Sequence, residues 1–394
     1  MNLRMRQNNH HLKDKTERKN NNMKCDNNRR VFFLLLQAGL WGKDVRLSVY
    51  NDVDYSEVNK MAEEQSVVGI IVAGIEHVID SVIPKDFLLQ LVGMTLQIEQ
   101  RNSSMNVFIE ELVGVMHKAG IYVLLVKGQG VAQCYERPLW RACGDVDFYL
   151  SEENYENAKQ LLVPRATQVE TENSESLHIG MTIGGYVVEL HGTLKSGLSS
   201  RIDKGLLQIQ NSIIFDGRVR SWMNGKAQVF LPGADEDVVY SFTHILQHFY
   251  RGGIGIRQIC DWSRLLWTYK DSLELELLES RIRKMGLMSE WKAFGAFVVN
   301  YLGMPSGAMP FYSSSGKWEC KAKQICAFVM EVGNFGHNRD WSYFSKYPYL
   351  IRKLYSFGRR CGDLIRHARI FPLDSFRFFP SIVFNGIKNA AKGE

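Results

Sequence analysis

Apolar residues along this chain change their period twice, and the changes mark its organisation. From Val31 to about Gln100 they recur at helical spacing, in short amphipathic runs such as Asp54–Glu64 and Phe87–Gln100. An alternation of helix and strand follows. Asn106–Ala119 reads as a helix ended by Gly120, Ile121–Val126 as a buried strand, and Gly128–Tyr135 as the start of a further helix. Asp145–Leu150 is a second strand, and Asn154–Leu162 a helix opened by Ser151 and two glutamates. Leu177–Ile183, Gly184-Gly185 and Tyr186–Gly192 make a hairpin pattern whose two-residue turn needs φ > 0 at both central positions. In that register Ile183 faces Tyr186, Gly180 faces Glu189 and His178 faces His191. Glu189, His191 and His178 then share one face, and the glycine opposite Glu189 leaves room beside it. After Pro232 the helical period returns, with Asp235 as N-cap of Glu236–Tyr250, followed by Gln258–Tyr269 and Leu273–Met285.

These shifts predict five segments: a basic disordered tail over 1–30, a helical region over 31–100, an α+β domain over 101–232, a helical domain over 233–350 and a basic aromatic segment over 351–394. Met23 offers an alternative start. At 394 residues, 45% of them hydrophobic, the chain has ample material for globular cores.

Charge changes the picture only at the ends. The net charge is +6, yet residues 1–30 and residues 351–394 each hold nine Lys/Arg against three Asp/Glu, so the segment between them is acidic. A basic nucleic-acid groove through the middle is therefore disfavoured. Seven scattered cysteines without a CxxC pair predict a reduced, cytoplasmic protein without a zinc knuckle. The apolar run Val31–Gly42 is too short to span a bilayer and lacks signal-peptide flanks. At the carboxy-terminal end, Arg352, Lys353, Arg359, Arg360, Arg366, Arg369 and Arg377 lie among Tyr355, Phe357, Phe371, Phe376, Phe378 and Phe379. Such a mixture suits peripheral contact with an anionic membrane, and equally a helix with a core stripe and a solvated basic face.

The chemistry concentrates at Gly144-Asp145-Val146-Asp147. Carboxylates at i and i+2 on a strand point to one face and can grip the same hard cations, such as Mg²⁺. The Lys127-Gly128-Gln129-Gly130 turn precedes them, with glycines where backbone must approach phosphate oxygens and a helix start offering free N–H groups. Asp145 and Asp147 would hold two Mg²⁺ ions about 3.5–4 Å apart, with Glu189 completing the second site or taking a hydroxyl proton. A second pair, Asp52 and Asp54, has no glycine turn before it, and Asp54 reads as an N-cap.

At these residues the chain resembles the minimal nucleotidyltransferase superfamily related to DNA polymerase β. More closely, it is similar to an uncharacterised bacterial nucleotidyltransferase family with the pattern LKG…R…GDxDhhh…hELH. Its residues here are Val126-Lys127-Gly128, Arg141, Gly144-Asp145-Val146-Asp147-Phe148-Tyr149-Leu150 and Val188-Glu189-Leu190-His191, followed by His244, His248, Arg257 and Asp261 in a helical part. The resemblance covers residues 31–330 and implies a small mixed sheet with helices, flanked by helical regions. The superfamily's usual Gly-Ser or Gly-Gly turn is replaced here, so a serine hydroxyl is absent.

The resemblance implies an NTP substrate, Mg²⁺, and a nucleotide site built from Lys127, Gly128, Gln129, Gly130, Arg141, His178, His191, His244, His248 and Arg257. Catalysis and metal binding fall to Asp145, Asp147 and Glu189. Arg141 either pairs with the aspartates or meets triphosphate. His244 and His248, one turn apart, either bind zinc or form a face beside the nucleotide, with Arg257 and Asp261 holding the helix. The expected reaction moves a nucleoside monophosphate from an NTP to an unidentified hydroxyl or phosphate acceptor, releasing pyrophosphate. Two alternatives remain: a degenerate nucleotide-binding scaffold of a surface-polysaccharide or similar assembly, and a toxin-like enzyme modifying tRNA or protein.

Overall fold

A computed structural model describes residues 26–339 and 347–391, so most of the basic tail lies outside the described residues. The architecture is α+β, as the alternating pattern predicts. Seven strands, β1 (Leu124–Val126), β2 (Asp145–Tyr149), β3 (Gln168–Val169), β4 (His178–Ile183), β5 (Tyr186–His191), β6 (Val219–Asn224) and β7 (Ala227–Pro232), form one mixed sheet in the order β3-β4-β5-β2-β1-β7-β6. β2 runs parallel to β5 and β1 parallel to β7, whereas the other neighbours are antiparallel. The β4–β5 hairpin has the register expected of it, with φ of 58° at Gly184 and 84° at Gly185. The sequence pattern missed β3 and the β6–β7 hairpin.

The described helices before the carboxy-terminal pair are α1 (residues 26–41), α2 (Tyr55–Glu64), α3 (Val68–Ile75), α4 (Lys85–Lys118), α5 (Gly128–Ala132), α6 (Glu152–Leu162), α7 (Ser200–Ile214), α8 (Ala234–Arg251), α9 (Ile256–Thr268), α10 (Leu275–Met285), α11 (Met288–Asn300) and α12 (Gly316–Val332). Residues 26–30, expected in the disordered tail, instead begin α1. Asn28 is buried there and accepts from the Asp54 backbone N–H at 2.8 Å, while Arg29 donates to Cys326 Sγ. The two runs expected at 87–100 and 106–119 fuse into the single helix α4. Its weak middle is tied down from outside: buried Asn102 donates to the carbonyls of Leu139 and Arg141, both at 2.8 Å.

Asp54 caps α2, accepting from Ser56 N–H. Asp235 does not cap α8. The helix starts two residues earlier, after Gly233, because Asp235, Glu236 and Asp237 all favour its positive end and each finds a partner. Asp235 accepts from Glu274 N–H, Glu236 pairs with Arg281 at 2.7 Å, and Asp237 pairs with Arg220.

Two apolar cores result. One fills the sheet and gathers Met105, Ile109, Val146, Phe148, Val188 and Leu190. The larger joins α1–α3 to α8–α12 around Phe242, Trp262, Trp291 and Phe294. Where α1 crosses α3, Gly39 and Gly74 permit backbone-to-backbone contact: a methyl on Gly74 would overlap the Leu35 carbonyl. The last two helices, Tyr349–Ile370 and Pro372–Ala391, insert Phe371 and Phe378 into the larger core and leave Leu354, Phe376 and Phe384 exposed. Among the described residues no helix is long and apolar enough to cross a membrane.

Candidate active site

The sheet centre fixes the first acidic residues. Asp145 and Asp147 project from one face of β2, and the parallel register sets Glu189 of β5 directly beside Asp147. On the other flank, Val126 pairs with Asp147, so the chain leaving β1 delivers Lys127 to the same place. Lys127 Nζ lies 3.1 Å from Asp147 Oδ1. His191 Nε2 lies 2.9 Å from that same oxygen and 3.4 Å from Glu189 Oε2, and His178 Nε2 lies 3.1 Å from Glu189 Oε2. The three donor atoms of His178, Glu189 and His191 all lie within 4.8 Å of one another. From above, α8 presents Tyr240, His244 and His248, spaced one turn apart, with Lys127 Nζ 5.8 Å from the Tyr240 ring centre.

Burial pushes the Lys127 ammonium down, but the Asp147 carboxylate more than reverses this, and the amine is held above its usual value. Burial likewise raises Asp147, yet the Lys127 charge and the His191 hydrogen bond prevail and keep it ionised. Hydrogen bonds from His178 and His191 hold Glu189 well below the usual carboxylate range. His191 loses basicity to burial and regains more from Asp147 and Glu189. Asp145 differs: burial and then the Asp147 charge both raise it. Two neighbouring carboxylates, one of them under-compensated, form a donor set that suits a hard cation.

The sequence profile of a family described as "Uncharacterised nucleotidyltransferase" matches residues 51–299, which holds every residue of this cluster. The chain belongs to that family. No curated protein and no solved structure matches it.

Around this cluster lie two cavities that share Lys127, Glu189, His244 and His248. The smaller, about 230 Å³, adds Gly128, Arg141, Asp145, Asp147 and Arg257. The larger, about 600 Å³, adds His178, His191, Lys195, Tyr240 and Arg251.

Several residues expected at a nucleotide site are engaged by other partners. Arg141 pairs with neither aspartate of β2; it is buried and grips Asp261 through Nε–Oδ1 at 3.0 Å and Nη2–Oδ2 at 2.5 Å, while Tyr135 donates to the same carboxylate at 2.8 Å. Asp261 therefore serves Arg141, and Arg257 donates instead to the Ala142 carbonyl at 2.6 Å. Among the described residues Arg257 Nε is buried without a partner, and burial and then the Arg141 charge lower its basicity. Gln129 and Gly130 line neither cavity. Gln129 is buried with Nε2 against Met105, and a methyl on Gly130 would sit 2.7 Å from Leu231 Cδ2, so that glycine serves helix–sheet packing. α5 is also only five residues long, so it contributes little dipole. The room expected beside Glu189 is filled: Glu170 reaches over Gly180, and a methyl there would lie 2.5 Å from its Oε2.

His244 and His248 contact each other, Nε2 to Nε2 at 3.0 Å, so one donates and the other accepts. Burial lowers both, with His248 at about 4. Sequence reasoning missed Tyr240, although its spacing of four residues from His244 placed it on the same helical face. Glu170, Lys195 and Arg251 carried no such local signal.

Proposed function

We propose that this chain is a Mg²⁺-dependent nucleotidyltransferase that moves a nucleoside monophosphate from an NTP to a hydroxyl-bearing or phosphate acceptor. The observation that carries this reading is the register of Glu189 beside Asp147, which adds a third carboxylate to the Asp145/Asp147 face. Asp145, Asp147 and Glu189 are the residues that would hold Mg²⁺, and their oxygen donors fit it. Bound there, divalent ions supply charge neutralisation for a triphosphate and acidify an attacking hydroxyl.

The smaller cavity suits the triphosphate. Gly128 and Arg257 lie on its wall, and the Arg257 guanidinium brings a cation to the phosphate oxygens. Lys127, released from Asp147, supplies a second cation. The acceptor enters by the larger cavity, on the Glu189 side. Its oxygen forms the new bond to the α-phosphorus, the bond from that phosphorus to the bridging oxygen breaks, pyrophosphate leaves, and the hydroxyl proton passes to water. Because two histidines hold Glu189 so firmly ionised, its role is cation ligand more than proton acceptor.

The test is pyrophosphate release by purified protein with Mg²⁺, each of the common NTPs and a panel of polyol, sugar-phosphate, RNA and protein acceptors. Asp145→Asn should abolish the release seen with wild type. Undiminished activity in that variant would sink the assignment.

A further inference from the structure

We propose that His178, Glu189 and His191 form a second cation site that takes a divalent transition-metal ion, of the Mn²⁺, Fe²⁺, Co²⁺ and Zn²⁺ class, in preference to Mg²⁺. What the ion does there rests on the nucleotidyl-transfer reading; the site itself stands on the geometry of the triad.

The sheet makes the arrangement. His178 and His191 are direct partners across the β4–β5 pair, and Glu189 precedes His191 by two residues, so all three side chains leave one face of one hairpin. Gly184-Gly185 closes that hairpin tightly, and β2 flanks it on the far side, which fixes the register on rigid elements. The Nε2 atoms of the two histidines stand 3.1 and 3.4 Å from Glu189 Oε2, and all three donors lie within 4.8 Å of one another. Donors bonded at about 2.0–2.2 Å around one ion are separated by roughly 3.0–3.5 Å, so two of the three edges already have the required length.

Donor chemistry selects the ion. Mg²⁺ takes oxygen ligands and gives up water reluctantly, whereas two imidazoles and a carboxylate suit transition metals. The neighbouring pair Asp145 and Asp147 offers oxygen alone, so the two halves of the centre differ in the cation they favour. The triad also borders the larger cavity, which leaves coordination positions open for water or substrate. Glu170, lying over Gly180 on the same face, brings a further carboxylate to that side.

Chelator-treated full-length protein is titrated with Co²⁺ and followed by visible absorption, and with Mn²⁺ followed by pulsed electron paramagnetic resonance for coupling to imidazole nitrogen. Wild type should bind one Co²⁺ with ligand-field bands of a nitrogen-ligated site, and Mn²⁺ should show the ¹⁴N coupling. A tenfold excess of Mg²⁺ should leave both signals in place. His178→Gln and His191→Gln should each weaken Co²⁺ binding by about 100-fold or more, while Asp145→Asn should keep the spectrum and lose turnover. Unchanged Co²⁺ affinity in both histidine variants, absence of ¹⁴N coupling in wild type, or displacement by Mg²⁺ would each overturn the site. Should the histidine variants fail to fold by circular dichroism, the wild-type nitrogen coupling decides alone. An intact nitrogen signal without pyrophosphate release on any acceptor would sink the enzymatic reading and leave the metal site standing.

Discussion

Lys127 holds Asp147 at 3.1 Å from a backbone conformation of φ 58° and ψ −148°, a region that glycine enters freely and other residues enter at a cost of about 1–3 kcal/mol. Strain at this position separates two effects of mutation. Lys127→Ala and Lys127→Gly both remove the amine and leave buried Asp147 short of one partner, but only glycine relieves the backbone. Urea unfolding should therefore find Lys127→Gly more stable than Lys127→Ala by about 1–3 kcal/mol, with pyrophosphate release lost in both. Equal stability of the two variants would show that the backbone there is not strained.

Arg141 and Arg257 both line the smaller cavity, yet their partners assign them opposite roles. Arg141 is committed to Asp261 by two hydrogen bonds, with Tyr135 on the same carboxylate. Arg141→Gln strands a buried carboxylate and should cost about 3–5 kcal/mol of stability. Among the described residues Arg257 pairs with no carboxylate within salt-bridge distance, and its Nε has no partner. Arg257→Gln should leave the unfolding midpoint nearly unchanged and raise the KM for NTP. Thermal melts and NTP saturation curves on the two variants check this; a reversed pattern would refute the division of roles.

The contrast between these arginines shows how far the sequence could be read. Local pattern was enough for the β4–β5 register, because Gly184-Gly185 admits few turn types and alternation fixes which side chains share a face. It also placed Asp145, Asp147 and Glu189 in order. Spacing could not reveal the partner of Arg141, since Asp261 lies 120 residues further on and reaches it only through the docking of α9. The β6–β7 hairpin escaped for a related reason: Val219 and Met223 are exposed on β6, which blurs the apolar alternation of an edge strand. Gly130 carries two readings in sequence, because a glycine that lets a helix pack closely looks there like one that admits a phosphate.

Glycines in the helical part make a sharper packing test. A methyl on Gly74 would overlap the Leu35 carbonyl, and one on Gly39 would overlap that of Ile70, so neither backbone can yield without parting α1 from α3. Gly74→Ala should lower stability by about 3 kcal/mol or more. Gly93, exposed on α4 with nothing near its missing methyl, is the control: Gly93→Ala should stabilise by about 0.5–1 kcal/mol. Denaturant midpoints of the two variants should thus move in opposite directions. A matching shift would mean that the α1–α3 crossing does not depend on contact between the two backbones.

Buried titratable groups in the helical core set the pH range of stability. Glu290 on α11, near the Tyr250 hydroxyl at 3.3 Å, is pushed up to about 8 from a usual 4.5, first by burial and then by Asp374. Its folded form keeps a proton that the unfolded chain gives up, so this contribution is full below pH 4.5 and is lost as pH rises toward 8. Burial lowers His248 and His367 to about 4 from 6.5, with the opposite sign: folding favours their neutral forms, and stability falls as pH drops from 6.5 toward 4. At pH 6.5 the unfolded histidines are still half protonated, so Glu290 is isolated by comparing wild type with Glu290→Gln, in which the histidine contributions are the same. Relative to Glu290→Gln, which cannot ionise, wild type should lose stability between pH 6.5 and 8, at up to about 1.4 kcal/mol per pH unit. Unfolding free energies at pH 6.5 and 8.0 for both proteins decide the matter: parallel curves would remove Glu290 as the source.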